Sequence, residues 1–208
     1  MIWWPDKVPT LVGTDSNSGT PVTLRPINPR DTEDIFRACQ DPLIPKFTTV
    51  PSIYPLELAI SFAGKMAEVR HENKNELIFV IESQTLVGRQ FHPILKDGSL
   101  GLPQSSNGFA GVISLHTIDM PNHRAEIGYW LASEARGKGI GTIAAELITE
   151  YGLITMGFRR IEALVVVDNE PSKKLLLNAG FQFEGLLKQY STRSDGSQVD
   201  MALFAATK

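Results

Sequence analysis

The tightest constraint on this chain lies about two-thirds of the way along it. There a strand-like run, Ala125-Glu126-Ile127-Gly128-Tyr129-Trp130-Leu131, leads into Arg136-Gly137-Lys138-Gly139-Ile140-Gly141-Thr142. Glycines at alternate positions let the backbone turn sharply and approach another group closely, because no Cβ stands in the way. A helical periodicity starts inside the same turn. Ile140, Ile143, Ala144, Leu147, Ile148 and Tyr151 share one face over about Lys138 to Met156, and Gly157 stops the run. The first N–H groups of such a helix lack carbonyl partners, and its dipole favours negative charge. Strand, glycine turn and helix N-terminus together make a seat for a phosphate or pyrophosphate. Arg136 and Lys138 add positive charge beside it.

The rest of the pattern surrounds this unit with antiparallel strands. Residues 1–21 are rich in turn formers (Gly13, Asp15, Ser16, Asn17, Ser18, Gly19) and read as an arm pinned by Trp3 and Trp4. Residues 22–208 read as one domain. It opens with the strand Val22–Arg25, then a helix capped by Asn28 with Pro29 in its first turn and Asp31, Glu33 and Asp34 near its positive end. A second helix starts near Pro55, with Ala59, Ile60, Ala63, Met66 and Ala67 at helical spacing. Leu77–Ile81 suits a strand, and Leu86-Val87-Gly88 a hairpin return. Residues 89–108, dense in Pro, Gly and Ser, form a loop insertion or hairpin extension, expected as a lip over a ligand site or a self-association surface. Phe109–Ile118 and Ala125–Leu131 pair across the turn Asp119–Arg124. Beyond the glycine helix come the strand Arg160–Val167, a helix from Pro171 to Gly180, and the strands Phe181–Tyr190 and Gln198–Ala205 around Ser194-Asp195-Gly196-Ser197. The expected class is α+β: a mixed, mostly antiparallel sheet with flanking helices.

Composition removes several functions. A net charge of −3 and a pI near 5.8 argue against nucleic acid as a partner. No run approaches the roughly 18 apolar residues of a membrane span, and the N-terminus lacks the basic-then-apolar order of a signal peptide. A single cysteine, Cys39, suits a reducing cytoplasm and reads as a buried thiol among Ile35, Phe36 and Ala38. His71, His92, His116 and His123 lack ligand spacing, so no metal is expected.

Three kinds of anion loop compete for the glycine turn. A P-loop needs four residues between its glycines and then Lys and Ser/Thr, which are absent. A dinucleotide fingerprint needs G-x-G-x-x-G, but Thr142 stands where its last glycine should be, and antiparallel strands precede the loop. The coenzyme A pyrophosphate loop, R/Q-x-x-G-x-G/A, is met at every position by Arg136 to Gly141. With Ala125 to Leu131 ahead of it, and Val167-Asp168-Asn169-Glu170-Pro171-Ser172, Asn178-Ala179-Gly180-Phe181 and Glu184-Gly185 behind, the chain resembles the GNAT superfamily of N-acetyltransferases over about residues 22 to 205. Within it, the chain is similar to the branch of ribosomal-protein alanine acetyltransferases.

The resemblance implies a strand pair, Ala125–Leu131 and Arg160–Val167, that splays to admit the pantetheine arm of acetyl-CoA. Trp130 and Leu131 are the expected main-chain contacts on that arm. The amides of Arg136, Gly137, Lys138, Gly139, Ile140 and Gly141 are expected on the pyrophosphate, with Thr142 close by. Asn169 would contact pantetheine, cap the next helix, or do both. In the reaction a neutral amine attacks the thioester directly, in a ternary complex, so a base must take its proton. Glu126 is the first candidate, its alternative being a solvated or salt-bridged glutamate; Asp119 and His123 stand behind it. Many members place a tyrosine four residues before the Gly-Phe pair as the acid, and here that position is Leu176. Ser172, which matches the serine of the ribosomal-protein branch, is the replacement candidate, both on coenzyme and at the leaving thiolate. The acceptor is an amine-bearing small molecule or a peptide N-terminus, and the protein a monomer or homodimer. A catalytically weak coenzyme A-binding module, acting as sensor or scaffold, is the alternative reading.

Overall fold

The computed structural model describes residues 2–14, 19–193 and 196–208, so the turn formers Asp15 to Ser18 and Ser194-Asp195 lie outside the described residues. In chain order the elements are β1 (Leu11–Thr14), β2 (Pro21–Pro26), α1 (Thr32–Ala38), α2 (Leu43–Phe47), α3 (Leu56–Ser61), α4 (Ala67–Glu72), β3 (Leu77–Glu82), β4 (Gln90–Phe91), β5 (Gln104–Ser105), β6 (Phe109–Asp119), β7 (Arg124–Leu131), α5 (Ile140–Glu150), β8 (Arg160–Val166), α6 (Glu170–Asn178), β9 (Gln182–Thr192) and β10 (Gln198–Thr207). Eight strands form one sheet in the order β1-β2-β3-β6-β7-β8-β10-β9, with every neighbouring pair antiparallel except β7–β8.

β3 shows why the sheet takes two layers of helix. Its unbroken Leu-Ile-Phe-Val-Ile run is buried on both faces, as a central strand requires. Leu77, Phe79 and Ile81 face one cluster with Ile140, Ala144 and Ile148 of α5 and Leu176 of α6. Ile78 and Val80 face another, with Ile35 and Ala38 of α1 and Ala59 of α3. Each such side chain contributes roughly 1.5–3 kcal/mol on leaving water. β7 divides the same way: Ala125, Ile127, Tyr129 and Leu131 belong to the α5–α6 side, and Trp130 to the α1–α4 side. By strand alternation Glu126 and Gly128 share the Trp130 face.

Local signals explain most element ends. Asn28 Oδ1 accepts from the Arg30 N–H at 3.1 Å and Asp31 Oδ2 from the Asn28 N–H at 2.9 Å, a closed capping box behind Pro29. Arg25 clamps Asp31 at 2.6 Å and Glu82 at 2.7 Å, fastening this cap to β2 and β3. Gly157 ends the helical run that follows α5 at φ 89°.

Three expectations change, and a fourth resolves. The arm is not wholly irregular, since β1 pairs with β2 at the sheet edge, and Gly13 lets it lie on Leu147 of α5, where a Cβ would sit 2.8 Å from Leu147 Cδ2. The helix from Pro55 breaks at Gly64 (φ −118°, ψ −111°), and Ile60 points outward, 54% exposed, while Ala59 and Ala63 are buried. Leu86 closes a 3-10 turn rather than a hairpin strand, so β3 pairs directly with β6. Of the two forms expected for the insertion, it takes the hairpin, as a two-stranded ribbon β4–β5. It leans on α1, with Arg37 over the Phe91 ring at 4.7 Å and Asn107 Nδ2 donating to Asp34 at 2.7 Å. Among the described residues no helix is long and apolar enough to cross a membrane.

Candidate active site

β7 and β8 are paired at three positions only: Arg124 with Arg160, Ala125 with Ile161, Glu126 with Glu162. Past Glu126 the strands part, while β7 stays in register with β6 as far as Leu131 opposite Gly111. An antiparallel ladder uses the two edges of a strand alternately. The Trp130 carbonyl faces β6: any Cβ at Gly111, itself at φ 147°, would sit 2.2 Å from that oxygen. The Ala132 N–H likewise donates to Ala110 O at 2.9 Å. By alternation the main-chain groups of Ile127, Tyr129 and Leu131 therefore face the gap where β8 has left. This corrects one expectation, because the main chain of Trp130 is committed to β6. The donors and acceptors presented to the gap come from its odd-numbered neighbours.

At the head of the gap stands the glycine turn. Gly137 (φ 70°) and Gly139 (φ 75°) occupy the left-handed region, and at Gly137 there is open space where a side chain would be. Gly141 is glycine for a different reason: a Cβ there would meet Leu175 Cδ1 at 2.6 Å and Leu131 Cδ1 at 2.9 Å, so it sets how closely α5 approaches α6 and β7. The N–H groups of Gly137, Lys138, Gly139, Ile140 and Gly141 find no acceptor among the described residues. Thr142 N–H is already bonded to Gly139 O at 3.0 Å. Lys138 is exposed.

Arg136 differs from expectation in both of its roles. Its amide bonds to Ser133 O at 3.3 Å. Its guanidinium folds back, giving Nε and Nη2 to Leu131 O at 3.1 and 2.9 Å and pairing Nη1 with buried Asp41 at 2.7 Å. The charge assigned to the anion is spent instead on tying the loop to the α1–α2 corner. Arg37 repeats the tie, bridging Asp34 of α1 and Glu134 at 2.7 Å each.

On the α1–α4 face, Glu126 is without an ion-pair partner among the described residues. Burial, then the like charge of Glu162 and partly offset by a hydrogen bond from Thr117, pushes its carboxyl up to about 7. Glu162 is itself held by Arg160 Nε at 2.5 Å, with Arg124 at 3.8 Å. His116 stands opposite Glu126 in the ladder, its ring over Gly128, and burial lowers its pKa. The other two base candidates fall away. Hydrogen bonds from Asn122 and Arg124 hold Asp119 below the usual carboxylate range. His123 is a turn residue at φ 53° whose carbonyl receives the Arg159 N–H at 2.7 Å.

On the α5–α6 face, Leu176 is fully buried, so no hydroxyl comes from that position. Ser172 Oγ lies 2.7 Å from the hydroxyl of Tyr129 on β7, a functional contact that no local sequence signal marks. Asn169 Oδ1 accepts from Ser172 N at 3.3 Å, so it does cap α6; its amide nitrogen donates to nothing among the described residues. Cys39 is buried against Tyr54, which faces the α1–α4 cluster, and burial pushes its thiol up to about 12, so it is no nucleophile. A surface cavity of about 460 Å³ lined by Ile2, Trp3, Trp4, Lys74 and Met120 lies by the β6–β7 turn, at the other end of β7 from the glycine loop.

Residues 22–182 match the family described as Acetyltransferase (GNAT) domain. The chain belongs to the GNAT acetyltransferase family. It is an N-acetyltransferase, and the resemblance read from the loop and the strand before it is thereby met. The uncharacterized N-acetyltransferase p20 of Bacillus licheniformis is 29% identical over 189 residues, spanning 90% of this chain and 93% of that one. The ribosomal-protein-serine acetyltransferase of Escherichia coli is 37% identical over 95 residues, 46% of this chain and 52% of its own. Among solved structures, Mycobacterium smegmatis RimJ in complex with CoA-disulfide superposes with a TM-score of 0.75 at 26% identity, covering 99% of this chain and 90% of that one.

Proposed function

We propose that this N-acetyltransferase takes its acetyl group from acetyl-CoA and passes it to a primary amine by direct attack within a ternary complex. The open amides of Gly137 to Gly141 bind the pyrophosphate, and the gap-facing main chain of Tyr129, with the N–H of Leu131, binds the pantetheine arm, the Leu131 carbonyl being held by Arg136. One observation carries the reading: β7 loses its β8 partner directly beyond Glu126, on a line leading to unbonded amides at a helix N-terminus. Unpaired N–H groups gathered at a helix N-terminus, where the dipole favours negative charge, are a ready seat for an anion.

The amine arrives on the Glu126 face. A carboxyl near 7 is half ionised at neutral pH, matched to taking a proton from the attacking nitrogen. As the N–C bond forms and the C–S bond breaks, the amine's proton passes to Glu126 and on to water. Ser172, on the opposite face, donates a hydrogen bond to the sulfur, and Asn169 contributes its free amide nitrogen to the pantetheine arm. Relatives that carry a substrate in their names act on ribosomal proteins or on spermidine. The acceptor proposed here is the α-amino group of a peptide, with amine-bearing small molecules as the competing class. No nucleic acid, membrane or metal enters the scheme.

A panel of peptides and small amines, incubated with acetyl-CoA and read by mass and by thiol release, tests the assignment. One acetylated amine per thiol supports it. Leu176, standing where many members carry a tyrosine, favours a second reading, a coenzyme A-binding sensor or scaffold. Tight coenzyme A binding without thiol release for any amine would establish that alternative.

A further inference from the structure

We infer that Tyr129 is a positioning residue for the leaving-group step: its phenol donates to Ser172 Oγ and so turns the single proton of Ser172 into the β7–β8 gap. The inference rests on the acetyl-transfer reading above and adds a residue to it. Three observations carry it. Tyr129 and Ser172 approach to 2.7 Å, and the Ser172 Oγ has no other partner among the described residues. Tyr129 belongs to the part of β7 that has lost β8, so the pair borders the gap rather than the closed sheet. Leu176 removes the other source of a hydroxyl on this face.

The direction of the bond follows from acidity. A phenol is a stronger donor than an alkyl hydroxyl, so Tyr129 gives its proton to the contact and Ser172 accepts. Ser172 then has a proton to direct elsewhere, and a hydroxyl that accepts one hydrogen bond is a better donor in the next. Burial holds the Tyr129 phenol up at about 12, so it stays protonated and donates without ionising. No proton leaves the pair. The C–S bond breaks with its electron pair on sulfur, that charge is met by the Ser172 O–H, and the thiolate later takes its proton from water while the amine's proton has gone to Glu126.

The test uses Y129F, S172A and the double variant with the best amine of the panel. Phenylalanine keeps the ring in the core, so the fold should survive. Y129F is expected to lower kcat about fivefold to tenfold, the size of one hydrogen bond, with KM for acetyl-CoA within twofold of wild type. In the S172A background the same change should add nothing. The selenoester analogue of acetyl-CoA, whose leaving group needs less help, should erase most of the Y129F defect. Equal defects with thioester and selenoester, or full additivity with S172A, would overturn the inference and make Tyr129 a core residue. An inactive wild type would instead overturn the acetyl-transfer reading, so the two failures are distinguishable.

Discussion

Two regions of this protein treat their polar groups in opposite ways. From Arg25 to Asn107 a set of charged and polar side chains is closed by hydrogen bonds and ion pairs: Arg25 with Asp31 and Glu82, Arg37 with Asp34 and Glu134, Asn28 with its own helix, Asn107 with Asp34. From Glu126 to Asn169 several are left open, among them the amides of Gly137 to Gly141 and the gap edge of β7 at Tyr129, while the carboxyl of Glu126 has a hydrogen bond from Thr117 but no ion-pair partner among the described residues. Closed groups hold a scaffold, and open ones in a folded protein mark where a ligand completes the hydrogen bonding. The regions are not independent, because Arg136 to Asp41 and Arg37 to Glu134 tie the open loop to the closed corner.

The strongest way to break this contrast is at Glu126. E126Q is expected to lower kcat about a hundredfold at pH 8, the scale of a lost general base. At pH 5.5 the loss should be small, because the wild-type carboxyl is already protonated there. The sign follows from a carboxyl raised to about 7: wild-type activity rises through that pH, and E126Q flattens the rise. Stability moves the other way. A raised carboxyl pKa makes ionisation costly in the folded state, so wild type loses stability between about 4.5 and 7 and carries the full cost above it. E126Q should therefore raise Tm at pH 8.5 and leave it unchanged at pH 4. A pH-independent effect on kcat would make Glu126 structural.

Next in size is the loop. G139D places a carboxylate against the bound pyrophosphate at a residue whose φ of 75° and ψ of −14° strain any side chain, aspartate less than most. KM for acetyl-CoA should rise at least about tenfold, the effect of a like charge near the anion, with Tm lowered modestly by the backbone strain. Unchanged coenzyme affinity, measured by titration calorimetry, would remove the loop assignment. The tie to the closed region should matter less. D41N strips Arg136 of its ion pair while leaving its bonds to Leu131 O. It is expected to raise that KM about threefold, less than the roughly 1.5–3 kcal/mol of a whole charge-assisted bond because the two bonds to Leu131 O still hold the loop, and to leave kcat alone.

What was legible beforehand follows the same division. The glycine turn, the Asn28 cap, the run of β3 and the stop at Gly157 are local features, each set by a few adjacent residues, and each stands where the sequence placed it. What was missed depends on partners far along the chain. β1 is a strand because Val22 to Leu24 offer it an edge and Leu147 gives Gly13 a seat. Arg136 looked like an anion ligand because its neighbours are; its turn inward depends on Asp41, 95 positions earlier. Tyr129 pairs with a serine on another element, and Trp130 lost its expected main-chain role to a ladder alternation set by Gly111. Alternation along β7, given the β6 register, would have separated Tyr129 from Trp130; the register itself is not written in either strand.

The finest test separates the two causes of the high Glu126 pKa. Burial is the larger and Glu162 the smaller. Glu162 faces Glu126 directly in the last paired rung before the strands part, yet it has two arginines and Glu126 has none. Removing its charge in E162Q leaves Glu126 equally buried and leaves Arg160 and Arg124 less fully neutralised, so both consequences favour the ionised form. The acid limb of the pH–rate profile should move from about 7 to about 6 rather than back to the ordinary carboxylate range, since desolvation persists. The plateau rate above pH 8 should change by no more than about twofold, because above the pKa wild type and E162Q present the same ionised base. A limb that falls to near 4.5 would mean that the neighbouring carboxylate, and not the covering helices α1–α4, tunes the base, and the closed region would then have no part in setting the chemistry.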